Sequence, residues 1–339
     1  MTLDRYGASG VSSRANALSL TKTWFESVGS IPKQVTGTRH AYFVGGYPGV
    51  STLERLEYAN DTVNALKIGY AGYPQVRYAR GVSSMTHGYI VGGNTPFSSN
   101  HGSKVQRISY ANDTEVASLR GALATVPPPA GSFQSGGAFG NISYGYYAAG
   151  GGYSSIWRID YSNDTATAPE HAHNVETTHM INATGNENFG YMGGNGPSAS
   201  SRVIRLDYSS DTATPSVKGP LSVTKKRPGA AGNSNYGYFC GGEGGGESTI
   251  SRIDYSNDTA TASTKGPLSA ARYSPTGSTG NKDYGYISGG GPAPSAVQVT
   301  WIERIDYSND TATAVKKSNL GTAIYQNAAF SGAENALPQ

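Results

Sequence analysis

The chain has 339 residues, 37% hydrophobic and 14% charged, with a formal net charge of +3. Its basic residues are scattered apart from Lys225-Lys226-Arg227 and Lys316-Lys317, so the concentrated cationic stripe that neutralises a nucleic-acid backbone is missing and no nucleic-acid partner is expected. No apolar run approaches the roughly 18 residues of a membrane span, and the one cysteine, Cys240, leaves no intramolecular disulfide to form.

In chain order, Met1-Thr2-Leu3-Asp4-Arg5 opens no apolar run and reads as no signal peptide. The expectation is synthesis in a cytoplasm, without membrane insertion. Tyr6 to Gly10 and Ala17 to Trp24 read as strands. From about residue 31 a repeat begins. An aromatic-Gly-Gly block returns at Tyr42 to Gly46, Tyr89 to Gly93, Tyr146 to Gly151, Tyr191 to Gly194, Tyr238 to Gly242 and Tyr286 to Gly290. A second block follows each copy, as in Arg252-Ile253-Asp254-Tyr255-Ser256-Asn257-Asp258-Thr259. Its last aspartates, Asp61, Asp113, Asp164, Asp211, Asp258 and Asp310, are separated by 52, 51, 47, 47 and 52 residues. A period near 50 fits one four-stranded propeller blade per copy.

Within a copy, Ile253 and Tyr255 alternate with Arg252 and Asp254, the period of a strand, and Ser-Asn-Asp-Thr supplies turn chemistry. The stretch before each Gly-Gly block is small-sided, as in Gly229-Ala230-Ala231-Gly232. That suits strands converging on an axis, and the small residues at 41, 88, 145, 190, 237 and 285 suit close blade-to-blade packing. No helical periodicity appears, and the class is all-β. Six copies span about 31–320, and residues 1–30 and 321–339 read as one further, composite blade. The expectation is a single seven-bladed propeller closed by both termini in that shared blade, with six or eight blades as alternatives.

The order Gly-Gly, apolar strand, turn, then Gly266-Pro267-Leu268-Ser269-Ala270-Ala271-Arg272 resembles the kelch repeat, although the tryptophan usual in the outer strand is missing from the six copies. The near-verbatim Asp-Tyr-Ser-Asn-Asp-Thr-Ala-Thr-Ala is similar to repeats in virion and tail-associated proteins of marine bacteriophages. That resemblance implies a virion component whose partners are other virion proteins and a host-surface glycan or protein.

Spacing divides the copy into fixed and free parts. Arg to turn Asp is always six residues, whereas the second Gly to that Arg runs 9, 14, 7, 11, 10 and 14. The free loop emerges on the same face as the inter-blade connectors, and loops on a rigid scaffold carry recognition. The candidate binding residues are therefore Tyr47, Phe97, His101, Tyr153 and Trp301, with Lys225, Lys226 and Arg227 in one connector.

Catalytic readings fare worse. Six near-identical copies offer no unique site, and the Arg/Asp pairs on one strand face (Arg158 with Asp160, Arg252 with Asp254) read as inter-blade ion-pair ladders. Asn-x-Thr at Asn60, Asn112, Asn163, Asn257 and Asn309 reads as a turn rather than a glycosylation site. Glu170, His171, His173, Glu176 and His179 have ligand-type spacing for surface zinc but occur in one connector only. The Tyr/His/Cys constellation of propeller copper oxidases and the axial Arg cluster of propeller glycosidases are absent. No catalytic residue, metal or cofactor is expected. The reading is a non-enzymatic receptor-binding virion propeller, with a kelch-type interaction scaffold and a polysaccharide hydrolase or lyase as alternatives.

Overall fold

A computed structural model describes residues 39–73, 76–94, 102–124, 133–244, 247–292 and 297–336. Among them lie six four-stranded antiparallel sheets, here blades 1 to 6, each with strands a to d running outward from the axis. Blade 5 shows the plan: a Gly229–Gly232, b Tyr236–Cys240, c Ile250–Asp254 and d Ser263–Lys265. In blades 2, 3, 4 and 6 strand a is Arg80–Ser83, Gly137–Gly140, Asn182–Gly185 and Gly277–Gly280. Blade 1 takes strands b to d from His40–Val44, Thr52–Glu57 and Leu66–Tyr70, and its strand a is the C-terminal Ala328–Phe330.

The seven-blade expectation is thereby corrected to six. The C-terminal segment does form an inner strand, but Tyr42, Phe43 and Val44 pair with Phe330, Ala329 and Ala328. It completes the first repeat instead of founding a seventh sheet. Residues 1–30, expected to supply that seventh blade, lie outside the described residues. The sheets are not joined to one another by strand pairing. The inner strands instead touch in cyclic order, blade 1 to 6 and back to 1, so neighbouring blades meet through side chains and not through a shared strand ladder.

That packing explains the repeat. Each of six apolar clusters fills the seam between two neighbouring blades, as Tyr191, Val203, Phe239 and Ile253 do between blades 4 and 5. The seams are narrow. A Cβ on Gly190 would lie 2.0 Å from the Phe139 ring of the preceding blade, so a small strand-b residue is a steric requirement.

Polar staples cross the same seams. In every blade the strand-b tyrosine lies directly opposite the strand-c arginine, as in Tyr238↔Arg252. Both reach the turn aspartate of the next blade: Tyr191 Oη to Asp258 at 2.9 Å and Arg205 Nη1 to Asp258 at 2.7 Å. The pattern runs round the ring, ending with Tyr286 and Arg304 on Asp61 of blade 1. A strand-d cation often joins, such as Lys218 at 3.3 Å from Asp258. The turn tyrosine three residues before each aspartate stacks on the same strand-b tyrosine, for example Tyr191 on Tyr255 at 4.6 Å. The expected ladder of Arg158 with Asp160 is therefore corrected. Asp160 and Asp254 accept from Ser162 N and Ser256 N at 2.9 Å within their own turns, and Asp211 and Asp310 take the arginines.

Candidate functional site

Antiparallel order sends the b–c loops and the d–a connectors out on one end of the ring and the a–b and c–d turns out on the other. Bridges between connectors and b–c loops (Arg77 with Asn94, Tyr47 with Tyr325, Lys226 with Glu243) place both sets on one face, here the connector face. Each connector enters its inner strand through a residue with left-handed backbone: Tyr78, Ser135, Met180, Arg227, Ser274 and Gln326, with φ of 50 to 62°. For non-glycine residues this conformation is uncommon and held only by its surroundings. Here those include backbone bonds from one connector to the next. Tyr78 N donates to Gln326 O, Ser135 N to Tyr78 O and Arg227 N to Met180 O at 2.6–3.1 Å.

These residues frame the mouth of the axis, and the side chains around it form one cluster. The Tyr47 and Tyr325 rings lie 4.8 Å apart, and Tyr273 meets Tyr325 edge-on at 6.4 Å. The Arg77 guanidinium stands 5.7 Å from the Tyr47 ring and 5.4 Å from Tyr78. Arg227 Nη1 donates to Tyr273 Oη at 3.3 Å and is 2.5 Å from Glu243 Oε1, with Lys226 Nζ 2.6 Å from the other carboxylate oxygen. Burial alone would raise the Glu243 carboxyl, but the hydrogen bond from Lys226 and the charge of Arg227 hold it below the usual range. Burial, with Tyr78, Tyr47 and Tyr273 close by, pushes Tyr325 up to about 12.

Beneath the mouth lies Arg80, 2% exposed, donating to Ala79 O and Ile181 O at 3.0 and 3.2 Å. No carboxylate pairs with it among the described residues. Burial draws its guanidinium down to about 10, opposed by Tyr147 and reinforced by Arg227. The mouth thus offers flat aromatic faces, phenolic hydroxyls and a surplus of guanidinium charge. Such surfaces suit sugar rings and polar ligands.

The sequence candidates distribute unevenly. Tyr47, Lys226 and Arg227 belong to the cluster. Lys225 does not: it is 1% exposed, and its Nζ donates to Gly241 O and Thr249 O at 2.9 and 2.8 Å. Offered as a binding residue beside Lys226 and Arg227, Lys225 instead points into the protein, where those two carbonyls hold it. Trp301 is part-buried on strand c of blade 6, with Lys316 Nζ 4.7 Å and the Arg272 guanidinium 5.2 Å from its ring. Tyr153 packs on the seam holding Trp157 and Phe133. Phe97 and His101 lie outside the described residues. His171 Nε2 sits 2.8 Å from Asp211 Oδ1, filling the place that Lys218 and Lys265 fill at later seams, while His173 is exposed.

Sequence reasoning passed over Arg77, Tyr78, Arg80, Glu243, Tyr273 and Tyr325. They differ from copy to copy, so the repeat carries no signal for them. For Arg77, Tyr78, Tyr273 and Tyr325 the available clue was their position just before a small-sided strand, and for Glu243 its place directly after Gly241-Gly242.

Searches against protein-family models and against curated proteins each return no match. Among solved structures the chain is similar to YjhT, with a TM-score of 0.64 at 13% identity over 83% of this chain and 95% of that one. At that identity the likeness concerns the fold, a β-propeller.

Proposed function

We propose that this chain is a recognition propeller without chemistry of its own, taking a host-surface glycan at the tyrosine-rimmed mouth of the connector face. The observation that carries the reading is the convergence of Tyr47, Tyr78, Tyr273 and Tyr325 with Arg77 and Arg227. They come from different connectors and loops, and each is too variable between copies to be a demand of the fold. Aromatic side chains with polar tips gain contact area on a sugar ring and hydrogen-bond its hydroxyls. The similarity of the Asp-Tyr-Ser-Asn-Asp-Thr repeat to phage virion sequences supports placing the protein in a tail or fibre apparatus, kelch-like in plan, among other virion proteins.

Glycan-array binding tests the reading. Tyr47→Ala with Tyr325→Ala should weaken binding at least about tenfold, the loss of one good stacking contact or more, with the thermal transition preserved. Release of shortened product from a bound polysaccharide would replace it with the hydrolase or lyase. Capture of a protein with no glycan bound would favour the interaction scaffold. Absence of the chain from purified particles would remove the virion placement.

A further inference from the structure

The two faces of the ring carry opposite charge. Three carboxylates reach the connector face among the described residues, Glu176, Glu243 and Glu247. Glu176 is paired with Arg202 at 2.7 Å, and Glu243 with Lys226 and Arg227. The same face presents Arg77 and Lys104, which rest against Tyr47, Tyr78 and Tyr73 with no carboxylate partner among the described residues. Arg80 lies uncompensated below them. The loop segments outside the described residues, 74–75, 95–101, 125–132, 245–246 and 293–296, contain no Asp, Glu, Lys or Arg.

The turn face is the reverse. Glu57, Glu115, Asp160, Glu187 and Asp254 are exposed or half-exposed there. Among the described residues its cations are Arg39, Lys282 and those already paired with the turn aspartates, namely the six strand-c arginines with Arg120, Lys218, Lys265 and Lys317. Lys282 is already spent on Asp283 at 2.9 Å. A low net charge therefore conceals an axial separation of charge. Such a field orients a molecule toward an oppositely charged surface and raises its encounter rate.

We infer that the connector face docks on a polyanionic glycan, a polysaccharide bearing carboxylate or sulfate groups, with Arg77 and Lys104 facing the anionic groups and Arg80 adding its charge from beneath the mouth. This rests on the glycan reading above and narrows its ligand class. The cations stand on separate loops around a ring instead of along one stripe, which suits anionic groups spread over a glycan better than the regular phosphates of a duplex.

The experiment uses the full chain with four probes: dextran sulfate, polygalacturonate, neutral dextran and duplex DNA. At least one acidic polysaccharide should bind, neutral dextran should not, and binding should weaken as salt shortens the Debye length. Which polymer binds distinguishes sulfate from carboxylate. Arg77→Glu with Lys104→Glu should weaken binding at least about tenfold, while Glu57→Lys with Glu187→Lys on the opposite face leaves it unchanged. Lys104→Glu alone, at the rim, gives the same direction should the pair fold poorly.

Neutral dextran bound as tightly, with loss on Tyr47→Ala, would overturn the charge inference and leave the glycan reading standing. Acidic polymer bound with no loss on Tyr47→Ala would uphold the charge inference and overturn the mouth as a glycan site. DNA bound as tightly as the polysaccharides, or no probe bound, would overturn the charge inference.

Discussion

Lys225 and Glu54 are each a lone charge taken from water at a place where another copy of the repeat holds a different residue. Lys225 occupies the connector slot that Arg272 fills in blade 6. There the guanidinium meets Gly289 O and the fully buried Glu303, whereas Lys225 has only carbonyls. Burial lowers the Lys225 ammonium from 10.5 to about 8. Between those values the unfolded chain binds the proton and the folded chain does not, so this group's contribution to stability rises with pH across that window. Measured by urea unfolding, the wild type should gain about 3 kcal/mol relative to Lys225→Met between pH 8 and pH 10.5. A difference flat with pH would show that the amine is hydrated.

Glu54 is 2% exposed and accepts from Gly321 N at 2.6 Å, the task Gln106 performs for Gly72 N at the same distance. Desolvation raises its carboxyl above 4.5. The folded state then holds the proton longer, and stability falls as pH rises through 4.5 toward that raised value. Glu54→Gln should be the more stable protein at pH 7, with the advantage vanishing in acid. A less stable variant at pH 7 would show that the charge itself is used. Neither residue was legible as buried, because burial follows from how the connector turns inward and not from local composition.

At the scale of the elements, the seam is the working unit, and its parts were legible unequally. The b and c strands, the small inner strands and the close approach at residue 190 follow from period and residue size. The aspartate of the turn was read as turn chemistry alone. Its reach to the preceding blade spans 67 residues from Tyr191 to Asp258, and nothing local in Ser-Asn-Asp-Thr encodes that. Asp258→Ala would strand Tyr191, Arg205 and Lys218 in a seam where the carboxylate is 8% exposed. Its cost should be about 3–5 kcal/mol in chemical unfolding. Asp254→Ala, which removes only the bonds from Ser256 N and Ser256 Oγ within its own turn, should cost about 1 kcal/mol. Equal costs would deny the inter-blade role. Gly190→Ala should cost about 1–3 kcal/mol by overpacking against Phe139.

For the whole molecule, periodicity supplied the six copies and the sense in which one face varies, but not the blade count. A C-terminal inner strand can found a new sheet or finish the first one, and both arrangements use the same Ala328-Ala329-Phe330. The structure selects the second because strand b of blade 1 has an open inner edge that Ala328–Phe330 fills in register. The charge polarity of the ring likewise stays hidden in a net charge of +3 until the loops are sorted by face.

Truncation after Gln326 is the most direct measurement, because it removes that strand and leaves the six repeat copies intact. A six-bladed ring predicts loss of the cooperative unfolding transition, and its return when a peptide of residues 327–339 is added in trans. A truncated chain that unfolds at the wild-type midpoint would contradict the shared first sheet, and with it the assignment of faces.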